Sequence, residues 1–173
     1  MNRITTENVA AAILKVSSMG LSQKEELAEE IHRDQPNLLA SCLVQSKLGA
    51  RINDVEFLLN ILLVCYQAMK ESGLRWPMIT EDEQQRQMQR WIGAVDLSEH
   101  ALSDRASDSA RHQYADQHPE QPLLAFVVNE TNQWLRLNSE RNRETESDKL
   151  VMMASMNLVN CIAGAPVTLT AHG

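Results

Sequence analysis

The chain has 173 residues, enough for one domain with a substantial interior, or two small ones sharing a core. Its 43% hydrophobic and 23% charged content is ordinary for a globular protein. A net charge of −7 argues against a broad nucleic-acid footprint and against adhesion to anionic membranes, while leaving room for a local basic patch.

The first 20 residues lack a basic region followed by a long apolar core, and Glu7 and Asn8 interrupt them, so they do not read as a signal peptide. Thr5 or Thr6 opens a first helix that runs to Met19, with Val9, Ala12, Ile13 and Val16 recurring at helical spacing. Ser22 to Glu25 form a capping box for a second helix, with Leu27, Ala28 and Ile31 inward and Glu25, Glu26, Glu29 and Glu30 outward. Pro36 ends it and begins a third helix, whose Leu38, Leu39, Cys42, Leu43 and Leu48 are expected to face in before Gly49 stops it.

The most apolar stretch is Asn53 to Gly73, read as a helix capped by Asn53 with Glu56 three residues on. Glu56, Asn60, Gln67 and Glu71 fall on one narrow stripe, and the rest of the circumference is apolar. A helix of this kind belongs at the centre of a bundle. Its apolar core is read as too short and too interrupted for a typical membrane span.

Leu74 to Ile79 is an apolar, proline-broken connection whose Trp76 suits either a core plug or a contact patch. Thr80 to Glu83 caps a very polar helix with an inward stripe of Met88, Trp91, Ile92 and Val95. Residues 97–118 form a weakly hydrophobic helix whose only seam is Leu102, Ala106, Ala110 and Tyr114. A helix from about Pro122 to Leu137 follows, then a charged linker and a last apolar helix ending near Gly164. The tail from 166 to 173 has nothing in the sequence to pack against.

The three cysteines, Cys42, Cys65 and Cys161, are far apart and each lies in an apolar helical run, the pattern of buried free thiols in a reducing, cytoplasmic setting. The strings DQPNLLASCLV (Asp34 to Val44) and EQPLLAFVV (Glu120 to Val128) resemble each other, and each precedes a strongly apolar helix holding a cysteine. This admits two related three-helix halves, 1–79 and 80–165.

Three constellations bear on chemistry. His100, Asp104, Asp108 and His112 are spaced by four on one helix, so neighbouring pairs can supply two metal ligands, with His32 or His118 as further donors. The row also lies opposite the apolar seam, as a solvated face does, and that reading is favoured. Glu29 to His32 holds one ExxH without the second copy that a di-metal helical site needs. Arg86 and Arg90 share a face beside glutamines and suit a phosphate backbone, against the plainer reading of a solvated polar helix. No HExxH, P-loop, GxGxxG or GxSxG occurs.

The expected fold is all-α, one compact bundle of six to seven helices over 1–173. The expected function is a non-catalytic cytoplasmic protein-binding module, an adaptor, regulator or inhibitor, that contacts a protein partner or itself through Leu74, Trp76, Met78 and Ile79. No cofactor is implied. The alternatives are a metal-binding protein or enzyme using the His100–His112 face, and a nucleic-acid-binding regulator using Arg86 and Arg90.

Overall fold

The computed structural model describes residues 2–99, 104–138 and 145–167, with the backbone alone at 97–99 and 104–107. Among the described residues there are eight α-helices and no strand. They are α1 (Thr6–Ser18), α2 (Leu21–Asp34), α3 (Pro36–Leu43), α4 (Ile52–Glu71), α5 (Glu81–Glu99), α6 (Asp104–Gln117), α7 (Gln121–Asn138) and α8 (Glu146–Gly164). A 3₁₀ turn, Val44–Ser46, follows α3. The all-helical class agrees with the sequence, but the helices outnumber the six to seven expected. Sharp breaks at Met19–Gly20 and Gln35–Pro36 separate α1, α2 and α3 from one another.

Helix α4 is the centre, with α1, α3 and α8 packed along it. Leu58, Ile61, Leu62, Val64, Cys65, Ala68 and Met69 are all buried, while Glu56 and Asn60 remain on its solvent stripe. Gln67, placed by sequence on that stripe, is buried and donates to the Glu71 carboxylate at 2.7 Å. At 20 residues α4 is long and apolar enough to cross a membrane by length and composition, a test that a bundle's core helix also passes, and 67% of its most apolar stretch is buried within the bundle. The second apolar helix, α8, buries Val151, Leu158, Val159, Cys161 and Ile162 against α4, α5 and α7.

The start of α1 is as expected, and those of α2 and α4 differ from expectation. Thr5 caps α1 with Asn8 as its reciprocal partner. Helix α2 starts earlier than Ser22: Gly20 is its N-cap, and its N–H is taken by the Gln23 side chain at 3.0 Å. Helix α4 starts at Ile52 with Arg51 as N-cap, so Asn53 lies within the first turn and caps nothing. Leu48 is exposed, because the chain has left the α3 axis through the 3₁₀ turn before reaching it. Gly49 and Gly73 have φ of 107° and 65°, the left-handed region that lets the chain turn away at those points.

The N-termini of α4 and α8 meet. Asp54 and Asp148, each the third residue of its helix, are buried and share one guanidinium. Arg51 Nε donates to Asp54 at 2.6 Å and an Arg51 Nη to Asp148 at 2.9 Å. Asp54 also accepts from the Ser147 hydroxyl and from the Trp134 indole N–H at 2.7 Å. Trp134 in turn stacks on Phe57 with ring centroids 4.7 Å apart, which ties α7 to α4. Asp148 also caps its own helix, accepting the Thr145 N–H while Thr145 Oγ1 accepts the Asp148 N–H.

Two further latches cross the bundle. The Ile4 N–H donates to Glu120 at 3.0 Å just ahead of α7, and the Ile79 N–H donates to the Gln35 side-chain carbonyl at 2.9 Å just ahead of α3. Both acceptors are buried. Arg3 pairs with Glu120, covers the carbonyls of Ile162, Ala163 and Ala165 at the end of α8, and lies 5.0 Å from the Trp76 ring centroid.

Burial pushes the Asp54 carboxyl up, but the hydrogen bonds from Arg51, Ser147 and Trp134 outweigh it and hold it below its ordinary value of 3.8. A carboxyl lowered in this way stabilises the fold above that ordinary value, and the contribution disappears as pH falls through the lower folded value. Asp54→Asn is expected to cost about 3 kcal/mol at neutral pH, since it leaves Arg51 without its closest partner. The same variant should show a shallower loss of stability in acid, read from urea midpoints measured across pH.

Candidate functional site

Two surfaces stand out, one concave and one convex. The concave one is a cavity of about 270 Å³ between α5, α6 and α8, lined by Gln87, Arg90, Trp91, Tyr114, His118 and Asn160, with Pro119, Ala163 and Gly164 completing its wall. Its floor is a polar triad. Asn160 Oδ1 accepts from the Tyr114 hydroxyl at 2.5 Å and lies 3.2 Å from His118 Nε2. The Glu120 N–H donates to His118 Nδ1 at 3.1 Å, so Nδ1 is the acceptor and the imidazole proton sits on Nε2, facing Asn160. Desolvation lowers His118 below its ordinary value, outweighing the opposing effects of Asn160 and Glu120, and the ring is neutral at neutral pH.

The convex surface is the end of the bundle where α3 hands over to α4. Leu43, Val44, Leu48 and Ile52 follow one another there, and Ile52 is 75% exposed. Leu137, 71% exposed, belongs to the same end, because the carbonyl of its neighbour Asn138 accepts from Arg51 at 3.1 Å. The side chains that make this patch are of the same kind as those in the core, yet none of the five is buried.

The sequence candidates are distributed as follows. Of Leu74, Trp76, Met78 and Ile79, Ile79 is core, Leu74 and Trp76 are half-buried, and Met78 is 56% exposed. The Trp76 indole N–H is held by the Met69 carbonyl and the Ser72 hydroxyl, both at 3.1 Å, so its polar edge is already satisfied at the end of α4. Asp108 and His112 are exposed, and His112 Nδ1 lies 2.7 Å from the Asp108 carbonyl. His100 and the Asp104 side chain lie outside the described residues. Among the described residues no three His, Cys, Asp or Glu side chains are grouped to hold a metal ion. Glu30, in the acidic second helix, turns to Lys70 at 2.7 Å. Arg86 is paired with Glu83. Arg90 makes no ion pair among the described residues and lines the cavity instead.

The three cysteines are free and buried. Burial pushes Cys42 and Cys161 up to about 12, and raises Cys65 as well, so none offers a thiolate at neutral pH.

The sequence reading passed over Asn160, Trp91 and Gly164 as site residues. Their one legible signal was Asn160, an amide in an otherwise apolar helix, and it gained meaning only when Tyr114 and His118 were brought to it from elsewhere in the chain. Comparison with protein-family models, with curated proteins and with solved structures finds no match.

Because His118 is held neutral by burial, the unfolded chain binds its proton more readily than the folded one, and stability falls as pH drops below the ordinary value of 6.5. His118→Gln is expected to flatten that part of the profile between about pH 7 and 5, measured by urea unfolding at each pH.

Proposed function

We propose that this chain is a non-catalytic helical module that binds another protein through the apolar end formed by Leu43, Val44, Leu48, Ile52 and Leu137. The observation that carries this reading is the exposure of five large aliphatic side chains at one end of the bundle. Clusters of exposed large apolar side chains are a common mark of contact surfaces. The chain's net charge of −7 favours a partner whose contact face is apolar at its centre and basic around it. No observation on the described residues favours metal or nucleic-acid binding over this.

Leu48→Ser and Ile52→Ser together are expected to leave urea stability within about 0.5 kcal/mol, because neither side chain belongs to the core. The same pair should abolish capture of the partner in a pull-down. Light scattering across a concentration range distinguishes self-association from a different partner: a dimer that the double variant dissolves would make the partner a second copy. Retention of every complex by the double variant would sink the proposed surface.

We further infer that the eight helices are two related four-helix units, α1–α4 and α5–α8, rather than two three-helix halves. In each unit the fourth helix packs on the first and third, and the two fourth helices pack on each other. Each unit opens with Ile-Thr, at Ile4–Thr5 and Ile79–Thr80, and each isoleucine N–H reaches a buried side-chain acceptor ahead of the other unit's third helix. Gln35→Ala and Glu120→Ala should therefore act alike. Each should cost about 1–3 kcal/mol and raise amide hydrogen exchange at Ile79 and Ile4 respectively. Loss of protection at only one of the two sites would argue against equivalence.

A further inference from the structure

Helices α4 and α8 can be compared position by position from their buried third-residue carboxylates, Asp54 and Asp148. The fifteenth residue is Tyr66 in α4 and Asn160 in α8, and the nineteenth is Lys70 in α4 and Gly164 in α8. Around α4 these positions are filled. The Tyr66 hydroxyl donates to Asp34 at 2.8 Å, Lys70 Nζ pairs with Glu30 at 2.7 Å, and that ammonium lies 6.0 Å from the Tyr66 ring centroid. Around α8 an amide stands where the phenol would be, and Gly164 stands where the lysine would be, with the Gln87 amide and the Glu83 carboxylate packed against it where a Cβ would project. The 270 Å³ cavity lies against these same two residues, Asn160 and Gly164.

The charge at the two places also differs. Two carboxylates, Glu30 and Asp34, face the Tyr66–Lys70 pair, whereas two neutral groups, Tyr114 and His118, face Asn160. Arg90 contributes a guanidinium with no ion-pair or hydrogen-bond partner among the described residues. Asn160 uses its oxygen on Tyr114 and His118, and its amide nitrogen has no acceptor among the described residues. The nearest carboxylate, Glu83, is engaged by Arg86 and by Gln87 at 2.7 Å, and Glu120 is engaged by Arg3. Arg3 also covers the last carbonyls of α8, so the negative end of that helix is neutralised. Trp91, Tyr114 and Pro119 supply flat apolar walls.

We propose that this cavity binds a small aromatic carboxylate, its ring against Trp91 and Tyr114 and its carboxylate on Arg90 and the Asn160 amide. The volume is appropriate, since a cavity of about 150 Å³ already accommodates benzene. Recognition of a flat anion by a guanidinium and an amide donor is the expected pairing. This site is separate from the apolar end proposed for protein binding, so either proposal can fail without the other.

The test is heteronuclear NMR of the isotope-labelled full chain titrated with benzoate, salicylate and cinnamate. The protein has three tryptophans, and two indole N–H groups are already bonded, that of Trp76 to Met69 and Ser72 and that of Trp134 to Asp54. At least one of the three carboxylates is expected to shift the Trp91 indole signal saturably while the other two stay in place. Arg90→Gln alters an exposed side chain that has no partner among the described residues, so it should fold normally and weaken that binding by about tenfold or more. Benzylamine, with the same ring and the opposite charge, should give no saturable shift. The proposal is overturned if no probe shifts Trp91 saturably, if all three indoles move together, if Arg90→Gln binds as well as the parent, or if benzylamine binds as tightly as benzoate.

Discussion

The structure depends on one shared cation between two buried carboxylates. Helices α4 and α8 bring their N-termini together, and each presents an aspartate at its third position, where a negative charge suits the helix dipole. Two buried carboxylates side by side would repel, and Arg51 resolves this by bonding to both. Its own backbone N–H donates to Ser147, whose hydroxyl returns to Asp54, so the junction closes on itself. The apolar flanks of α4 and α8 can then pack along their length with their starting points fixed.

The other helices are placed relative to that pair. Helix α1 is pinned to the far end of α4, where the Asn8 amide donates to the Glu71 carbonyl at 3.0 Å and Lys15 pairs with the Glu71 carboxylate. Helix α7 is held by Trp134, which stacks on Phe57 and bonds to Asp54. The connections that are not helical are held by side chains standing in for a regular backbone ladder, Gln35 for the chain at Ile79 and Glu120 for the chain at Ile4. Many of the buried polar groups thus serve helix ends, where unsatisfied backbone groups lie, while Gln87, Thr131, Ser155 and Asn157 are buried within helices.

The apolar end and the cavity differ in origin. The first follows from a change of direction: the 3₁₀ turn after α3 carries Val44 and Leu48 out of the interior, and Ile52 begins α4 on the outside. The second lies beside Asn160 of α8, a smaller side chain than the tyrosine at the matching position of α4, while Gly164 is covered by Gln87 and Glu83. One presents side chains to solvent that a partner would cover, and the other encloses space that a small molecule would fill.

The apolar circumference of Val55 to Met69 was sufficient to read α4 as a central helix, because burial on nearly all sides is encoded in the local run of residues. The helical period of Val9, Ala12 and Val16, and of Leu27 and Ile31, likewise identified faces that are buried in the fold. Cap positions were less legible: Asn53 has the right chemistry for an N-cap, but Arg51 takes that place because the partners that decide it, Asp148 and Ser147, lie about 95 residues away. Leu48 looks like a core residue in sequence, and only the path of the chain puts it outside. The cavity residues Arg90, Tyr114, His118 and Asn160 come from three helices and a turn. Sequence determined which segments are helices and which faces are apolar, since both are set by neighbours within a turn or two. Tertiary structure alone decided which polar groups meet and where volume is left unfilled, since those depend on contacts between distant segments.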